Sequence, residues 1–411
     1  MFRKFIGEKY FCGLDVGAQT IKAGLIESKE NRQFELLGVY EGNTAGFDGT
    51  SVTDLGELSA SINTVLSGLV SNTRVKIKTV QMGIGGELIR QRLSTSVMPL
   101  LDRGSKVISR RDIVKIQKQA QLLGVKMDEI ILHDFPQSYK VDDINRALNP
   151  SGLYGRKLEI DTLIVAVNGT IIKNLSKAVN QAGYDVENIF FTTYAATMTA
   201  LDDFQRKQGC LFVDIGASVT DLVIFKGGQL RFLSSIPLGS DDITRAIAAR
   251  LNISHGLADD IKKSYGVVRH RQAGMNEEIL IKSEEGYTPV KKEAISEALD
   301  PVVNDLINML KASVARSELE RQLPGIIMSG GGSLLTGLPE RLEEEMVLPV
   351  KMASINFCSR KMHNAAKFLS SVGLAHAGFD KSLGLFVKRN QYSHWLKGLV
   401  DRSKELYEEY F

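Results

Sequence analysis

Apolar and polar positions alternate along much of the first forty residues. Tyr10–Leu14, Lys22–Ile26 and Phe34–Tyr40 follow this pattern and predict three strands of a meander. From Thr53 to Ser71 the spacing widens. Leu55, Leu58, Ile62, Val65 and Leu69 then share one helical face. Val80–Ile84 returns to a strand, which Gly85-Gly86 ends. After residue 87 the texture changes. Two alternating segments, Leu88–Leu100 and Glu129–Tyr139, flank one helix over Asp112–Leu123, with Ser109 as its N-cap and Gly124 as its stop. Residues 87–163 therefore read as an inserted subdomain. Strand Thr162–Val167 resumes the first pattern, followed by helix Thr170–Ala182, strand Val186–Phe191 and helix Tyr194–Arg206.

A second meander begins at Cys210, with strands Leu211–Ile215, Asp221–Phe225 and Leu230–Ile236. Residues 240–304 read as mostly helical and polar, a second insertion. A long helix, starting at Lys292 or Pro301 and ending at Glu320, leads to strand Ile326–Ser329. Strands alternating with helices imply a layered α/β architecture.

The two meanders are copies of one unit. With Gly13–Ile26 set above Phe212–Phe225, Asp15 falls on Asp214, Gly17 on Gly216 and Ala18 on Ala217. Each strand delivers a carboxylate at its end, and a glycine lets the backbone double back. Such a turn makes a nest of N–H donors for phosphate oxygens. A carboxylate beside phosphate needs a cation between them, so Asp15 and Asp214 point to Mg²⁺ held through water. Lys22 adds positive charge, Gln19 lies at the tip, and Thr20, Ser218 and Thr220 supply hydroxyl groups. A third cluster, Gly330-Gly331-Gly332-Ser333, follows a strand and precedes a helix near Gly337-Leu338-Pro339. It reads as an adenosine turn, with Asp259 and Lys262 as its opposite wall. The expected ligand is ATP with Mg²⁺.

Composition narrows the class. Of 411 residues, 43% are hydrophobic and 24% charged, as in globular proteins, and the length suits two or three domains. The net charge of +3, from 51 basic and 48 acidic side chains, argues against a nucleic-acid partner. Cys12, Cys210 and Cys358 form no CxxC and predict buried thiols rather than a disulfide or zinc framework. No stretch has the length of a signal h-region or a membrane span, so the expected place is the cytoplasm.

Together the hairpins and the glycine turn resemble the superfamily of actin, sugar kinases and heat-shock-chaperone ATPases. Tyr194–Leu201 and Phe368–Gly378 fall at its two connecting segments. Within it the chain resembles the FtsA family of bacterial cell-division proteins. The most specific stretch is Ile131-Leu-His-Asp-Phe-Pro-Gln-Ser-Tyr-Lys-Val-Asp142, followed by Asn149-Pro-Ser-Gly-Leu-Tyr-Gly-Arg-Lys-Leu-Glu159. PilM, the type IV pilus relative, is the nearest alternative, and a sugar-kinase-type phosphotransferase a more distant one. The resemblance implies an α/β, actin-like (ribonuclease H-like) two-lobed fold with an FtsA-type inserted subdomain. The first-lobe core would comprise 8–86, 164–206 and 369–385, and the second-lobe core 207–239 and 305–368. The insertions would be 87–163 and 240–304.

The resemblance also implies actin-like filaments and, as partners, the C-terminal tail of FtsZ and other division proteins. Three departures qualify it. Gly216-Ala217-Ser218-Val219 replaces the family's glycine run. Thr192-Thr193-Tyr194-Ala195-Ala196 offers no carboxylate or Gln to position a water, so no catalytic residue is assigned and any ATP hydrolysis is expected to be slow. Pro301-Val302 stands where the family often has Pro-Arg. Independently, residues 386–411 read as a linker and an amphipathic helix. Trp395, Leu396, Leu399, Val400, Leu406, Tyr407, Tyr410 and Phe411 fall within roughly 160° of one helical face. The expectation is a peripheral attachment to membrane lipid on the cytoplasmic face, at the division site.

Overall fold

The computed structural model describes residues 9–29, 33–100, 105–143, 145–268, 278–283, 286–357 and 364–382. Its first lobe opens with strands β1 (Tyr10–Val16), β2 (Thr20–Ser28) and β3 (Phe34–Asn43), then helix α1 (Leu55–Thr73) and strand β4 (Thr79–Ile84). The Asp54 side chain caps α1 by accepting from Glu57 N–H at 2.8 Å. The helix buries Leu58, Ile62, Val65 and Leu69, the face that the spacing predicts.

The chain then leaves the lobe. Strand β5 (Ile89–Pro99), short strand β6 (Lys106–Val107), helix α2 (Arg110–Gly124) and strands β7 (Glu129–Val141), β8 (Asn145–Ala147), β9 (Tyr154–Gly155) and β10 (Lys157–Asn168) follow. Ser109 and Asp112 close α2 with a reciprocal capping box. The main sheet here runs β5-β10-β7-β8, and Met98, Ile116, Tyr139, Leu158 and Ile160 belong to a separate core. The strand expected over Thr162–Val167 is the second half of β10. It pairs with β5 and β7, not with the first-lobe sheet.

Helix α3 (Gly169–Gln181), strand β11 (Asp185–Phe191) and helices α4 (Thr192–Ala200) and α5 (Asp203–Gln208) return to the first lobe. The single helix expected over Tyr194–Arg206 is two, because Asp202 and Gln205 form a capping box that starts α5 afresh.

The second lobe holds β12 (Cys210–Ile215), β13 (Thr220–Lys226), β14 (Gln229–Ile236), α6 (Ser240–Leu251) and α7 (His255–Tyr265). A hairpin of β15 (Glu278–Ser283) and β16 (Gly286–Lys291) comes next, where helix was expected. Helix α8 (Lys292–Arg316) runs through Pro301 and ends before Glu320. It is held by burial of Ile295, Leu299, Val303, Leu306 and Leu310. Strand β17 (Ile326–Ser329), helix α9 (Leu338–Met346), strand β18 (Val350–Met352) and helix α10 (Ala365–Ser382) complete the described chain.

The two lobe sheets have one topology. The first runs β3-β2-β1-β4-β11, the second β14-β13-β12-β17-β18. In each, the central strand pairs antiparallel with the next strand and parallel with a later one. Two helices connect the lobes, α4 and α10. They cross so closely that a Cβ on Gly373 would lie 2.4 Å from Ala195 O. At the same level α10 also lies against β1, where a Cβ on Gly13 would meet Ser371 O. Cys12 and Cys210 are buried free thiols, while Cys358 lies outside the described residues.

Candidate functional site

The repeated hairpins face each other across a cleft of about 130 Å³, lined by Asp15, Gly17, Ala18, Gln19, Thr20 and Lys22 from the first lobe and by Asp214, Gly216, Ala217, Ser218 and Asp221 from the second. The turns are built alike. Gly17 N–H donates to Thr20 O at 3.1 Å, and Gly216 N–H donates to Val219 O at 2.9 Å. A Cβ on either glycine would sit 2.8 or 2.9 Å from that same carbonyl oxygen, which is why glycine stands at both. The Thr44 hydroxyl braces the first turn by donating to Gly17 O at 2.8 Å. Ser240 and Asp241 N–H brace the second, donating to Gly216 O and Ala217 O at 2.9 and 2.8 Å. At the tips, the N–H groups of Ala18, Gln19, Ala217 and Ser218 have no acceptor among the described residues. They are the donors that a nest requires.

The charges differ at one equivalent position. Asp15 pairs across its hairpin with Lys22, and Asp214 with Asp221. Burial raises the Asp15 carboxyl above its ordinary range; Lys22 opposes this and Asp221 adds to it. Asp214 is pushed up to about 7, by burial first and then by Asp15 and Asp221, against Lys22 and the Ser370 hydroxyl. Ser370 donates to Asp214 at 3.2 Å.

Asp221 was not legible as a site residue, because its partners are far apart in sequence. It accepts from Gly86 N–H at 2.9 Å, from the Thr193 hydroxyl at 3.1 Å and from the Ser235 hydroxyl. Gly86 and Thr193 belong to the first-lobe side, so Asp221 ties the lobes at the floor of the cleft. At the mouth, the Gln19 amide donates to Asp241. Lys367 also lines the cleft, paired with Glu41, and no local pattern marked it.

The glycine turn divides. Gly330 and Gly331 reach the cleft, and a Cβ on Gly331 would meet nothing within 4 Å. Glycine stands at 330 because the backbone takes φ +88° there and a side chain would strike Ile215 O. Gly332 and Ser333 are buried, and the Ser333 hydroxyl donates to Gly330 O at 2.7 Å. The Thr220 hydroxyl is also taken, donating to Leu238 O at 2.8 Å. Asp259 and Lys262 do not line this cleft. They pair with each other at 2.8 Å, and the Lys262 ammonium also donates to Ser240 O and Thr244. α4 presents Thr192 to the cleft and Thr193 to Asp221, and no carboxylate. Among the described residues no three His, Cys, Asp or Glu side chains converge to hold a metal unaided. A cation between Asp15 and Asp214 would therefore need phosphate oxygens or water as further ligands.

The inserted subdomain is fastened to both lobes. Phe191 N–H donates to His133 Nε2 at 3.0 Å, and burial pushes that imidazole down to about 3, so it stays neutral. Tyr194 packs edge-on against Phe135 at 4.9 Å and stacks on Phe225 of the second lobe. The Gln137 amide donates to Leu230 O at 2.9 Å, and Arg231 donates to Gln137 O at 2.8 Å.

Two lobes of one topology, two matched hairpins facing across a cleft and two connecting helices at its base define an actin-like protein. Two family models match the sequence. One is described as "Cell division protein FtsA" and covers residues 211–373. The other is described as "SHS2 domain inserted in FTSA" and covers residues 86–166. The chain belongs to the FtsA family of cell-division proteins. It is 27% identical to the cell division protein FtsA of Pseudomonas aeruginosa, over 94% of each chain, and 23% identical to that of Escherichia coli K12, over 92% of this chain and 93% of the other. Solved structures share the fold. The PilM-PilN type IV pilus biogenesis complex superposes with a TM-score of 0.66 at 17% identity, covering 90% of this chain and 98% of that one. MreB5 of Spiroplasma citri bound to ADP gives 0.54 at 13%, covering 93% and 99%.

Among the described residues no helix is long and apolar enough to cross a membrane. The amphipathic segment 395–411 lies outside the described residues.

Proposed function

We propose that this chain is a nucleotide-switched adaptor. It binds ATP with Mg²⁺ between its lobes, self-associates head to tail, rests on the cytoplasmic face of the membrane and holds the FtsZ ring there. The observation that carries the nucleotide part is the pair of facing hairpins, with four tip amides lacking acceptors and two buried carboxylates. Phosphates would take the amides, and Asp15 and Asp214 would hold the metal through water. The bound metal would screen phosphate from carboxylate. The closed cleft is smaller than the roughly 300–1,000 Å³ of a full ligand site. Entry of a nucleotide therefore requires Gln19 and Asp241 to part.

The family's printed role supports the division part, and MreB5, named as bound to ADP, shares the fold. The pilus-assembly alternative draws on likeness of fold alone. With α4 offering threonines rather than a base, hydrolysis should be slow. Head-to-tail stacking of such lobes is heterologous and gives filaments, with the inserted subdomain as part of the contact. Residues 395–411 would lie on lipid by their apolar face.

Residues 240–304 are a locally basic region suited to an acidic tail, but of their basic side chains Arg245, Arg250, Lys262 and Lys263 are paired with Asp242, Glu297 and Asp259. Arg269 and Arg271 lie outside the described residues. Val302 packs half-buried on the second-lobe core.

The test of the nucleotide reading is Gly331→Arg. The side chain enters open space, so the variant should fold, and it should lose ATP binding. A folded variant with unchanged ATP affinity refutes the placement. Equal co-sedimentation with lipid of the full chain, Trp395→Glu and a truncation after Gln391 would refute the membrane part.

A further inference from the structure

The nucleotide cleft lies at the C-terminal ends of β1 and β12. The opposite end of the first lobe carries a second cleft of about 240 Å³, lined by Lys9, Tyr10, Cys12, Leu25, Lys76, Ile77, Lys78 and Thr79. Its floor is apolar, made by buried Cys12 and Leu25, which pair across β1 and β2. Its walls are cationic. After α1, Arg74 turns the chain in a left-handed conformation, and exposure then alternates: Lys76 and Lys78 are exposed while Val75, Ile77 and Thr79 are half-buried. Lys76 and Lys78 therefore share the solvent side of the cleft. Lys9 is paired with Glu27. Lys76 and Lys78 have no ion-pair partner among the described residues. The nearby acids are Glu27, already paired, and Asp185, whose N–H donates to Lys78 O at 2.9 Å.

The position of this cleft selects its ligand. α10 starts beside the nucleotide cleft, where Gly330 N–H donates to Ala366 O at 3.0 Å. It runs the length of β1 and reaches the far end, with Phe379 edge-on to Phe11 at 5.6 Å. Ser382, the last described residue, therefore ends α10 at the end of the lobe that carries the lysine cleft. From there the chain continues to the amphipathic residues 395–411. If those residues lie on lipid, the short tether places this end of the lobe near the headgroups.

We propose that the Lys9–Lys76–Lys78 cleft is a phosphate-group site, and that its occupant is the headgroup of an anionic phospholipid. This rests on the membrane reading above and adds a second contact to it. Lys76 and Lys78 would take the phosphate oxygens, and Tyr10, 40% exposed, sits at the rim, where its ring suits the interface. Two free lysines are too few for a nucleic acid, and the chain's near-neutral charge agrees. The contact would fix the rotation of the lobe on the membrane, which a single tethered helix leaves free.

The test is co-sedimentation of the full chain with phosphatidylglycerol vesicles and with phosphatidylcholine vesicles. At about a factor of five per lysine near an anionic surface, Lys76→Ala with Lys78→Ala should weaken binding to the anionic vesicles about twenty-five-fold. Binding to the neutral vesicles should not change. Lys76→Arg with Lys78→Arg should retain affinity, and added salt should erase the difference. Both lysines are exposed, so unchanged melting would show that the variants fold. Equal affinity of the alanine variant for anionic vesicles overturns the headgroup site and leaves the membrane helix standing. Binding of inorganic phosphate by the chain in solution, lost in the alanine variant while its affinity for anionic vesicles is unchanged, would assign the cleft to a free anion and overturn the lipid assignment. A wild-type chain that sediments with neither vesicle overturns the membrane reading itself, and this site with it.

Discussion

The two hairpins share a backbone and differ in charge at one place. Opposite Asp15 stands Lys22; opposite Asp214 stands Asp221. The first lobe thus brings a carboxylate balanced by an ammonium, and the second brings two carboxylates. Asp221 is not a spare copy of the phosphate machinery. Its oxygens take Gly86 N–H, Thr193 and Ser235, and so close the floor between the lobes. A duplicated unit has kept its turn geometry in both lobes while one cross-strand position supplies charge in the first and a joint in the second. Burial, together with the negative charge of Asp15 and Asp221, holds Asp214 at about 7 until a cation arrives.

The comparison can be broken most severely at Asp221. Asp221→Ala would leave buried donors at Gly86 and Thr193 unsatisfied and should cost about 2–4 kcal/mol, read by chemical denaturation. Lys22→Ala should do far less to stability, since Lys22 makes no such joint. Next in size is metal-dependent binding. Asp214→Asn should weaken ATP in the presence of Mg²⁺ by at least about tenfold while changing metal-free binding little, as titration calorimetry would record. The third effect is on pH dependence. The unfolded Asp214 carboxyl titrates near 4 and the folded one near 7, so the folded chain holds the proton more tightly between these values. Stability without ligand should therefore fall as pH rises from about 5 to 8, by roughly 2 °C or more in melting temperature. Asp214→Asn should flatten that slope. The smallest effect is at Lys22. Lys22→Met should raise the Asp15 carboxyl further and cost roughly fivefold in ATP affinity, the loss of one partly screened charge.

The hairpins were legible because their information is local: an alternating strand, an Asp, and a glycine two residues on. Most strands of both lobes and α1, α2 and α3 were legible for the same reason, the period of their apolar residues. What was missed depends on contacts distant in sequence. Asp221 finds Gly86 135 residues away, and Lys367 reaches Glu41 across 326. The β15–β16 hairpin shows no apolar–polar alternation, with an Ile-Leu-Ile run in one strand and Pro289 in the other, so its period is not visible. α8 continues through Pro301 because its buried face outweighs one lost hydrogen bond. Asp259 and Lys262, at i and i+3 on α7, pair with each other, and their place opposite the adenosine turn stands as a proposal.

The central claim is that Asp15 and Asp214 share one cation with the phosphates of a bound nucleotide. A cation brought beside Asp214 must ionise it, so binding near pH 7 should release protons. Calorimetric titration of ATP with Mg²⁺ in two buffers of different ionisation enthalpy measures that release directly. The account predicts a substantial fraction of a proton released per nucleotide by the wild-type chain, and none by Asp214→Asn. Tight Mg²⁺-dependent binding without proton release, or release unchanged in Asp214→Asn, would contradict it.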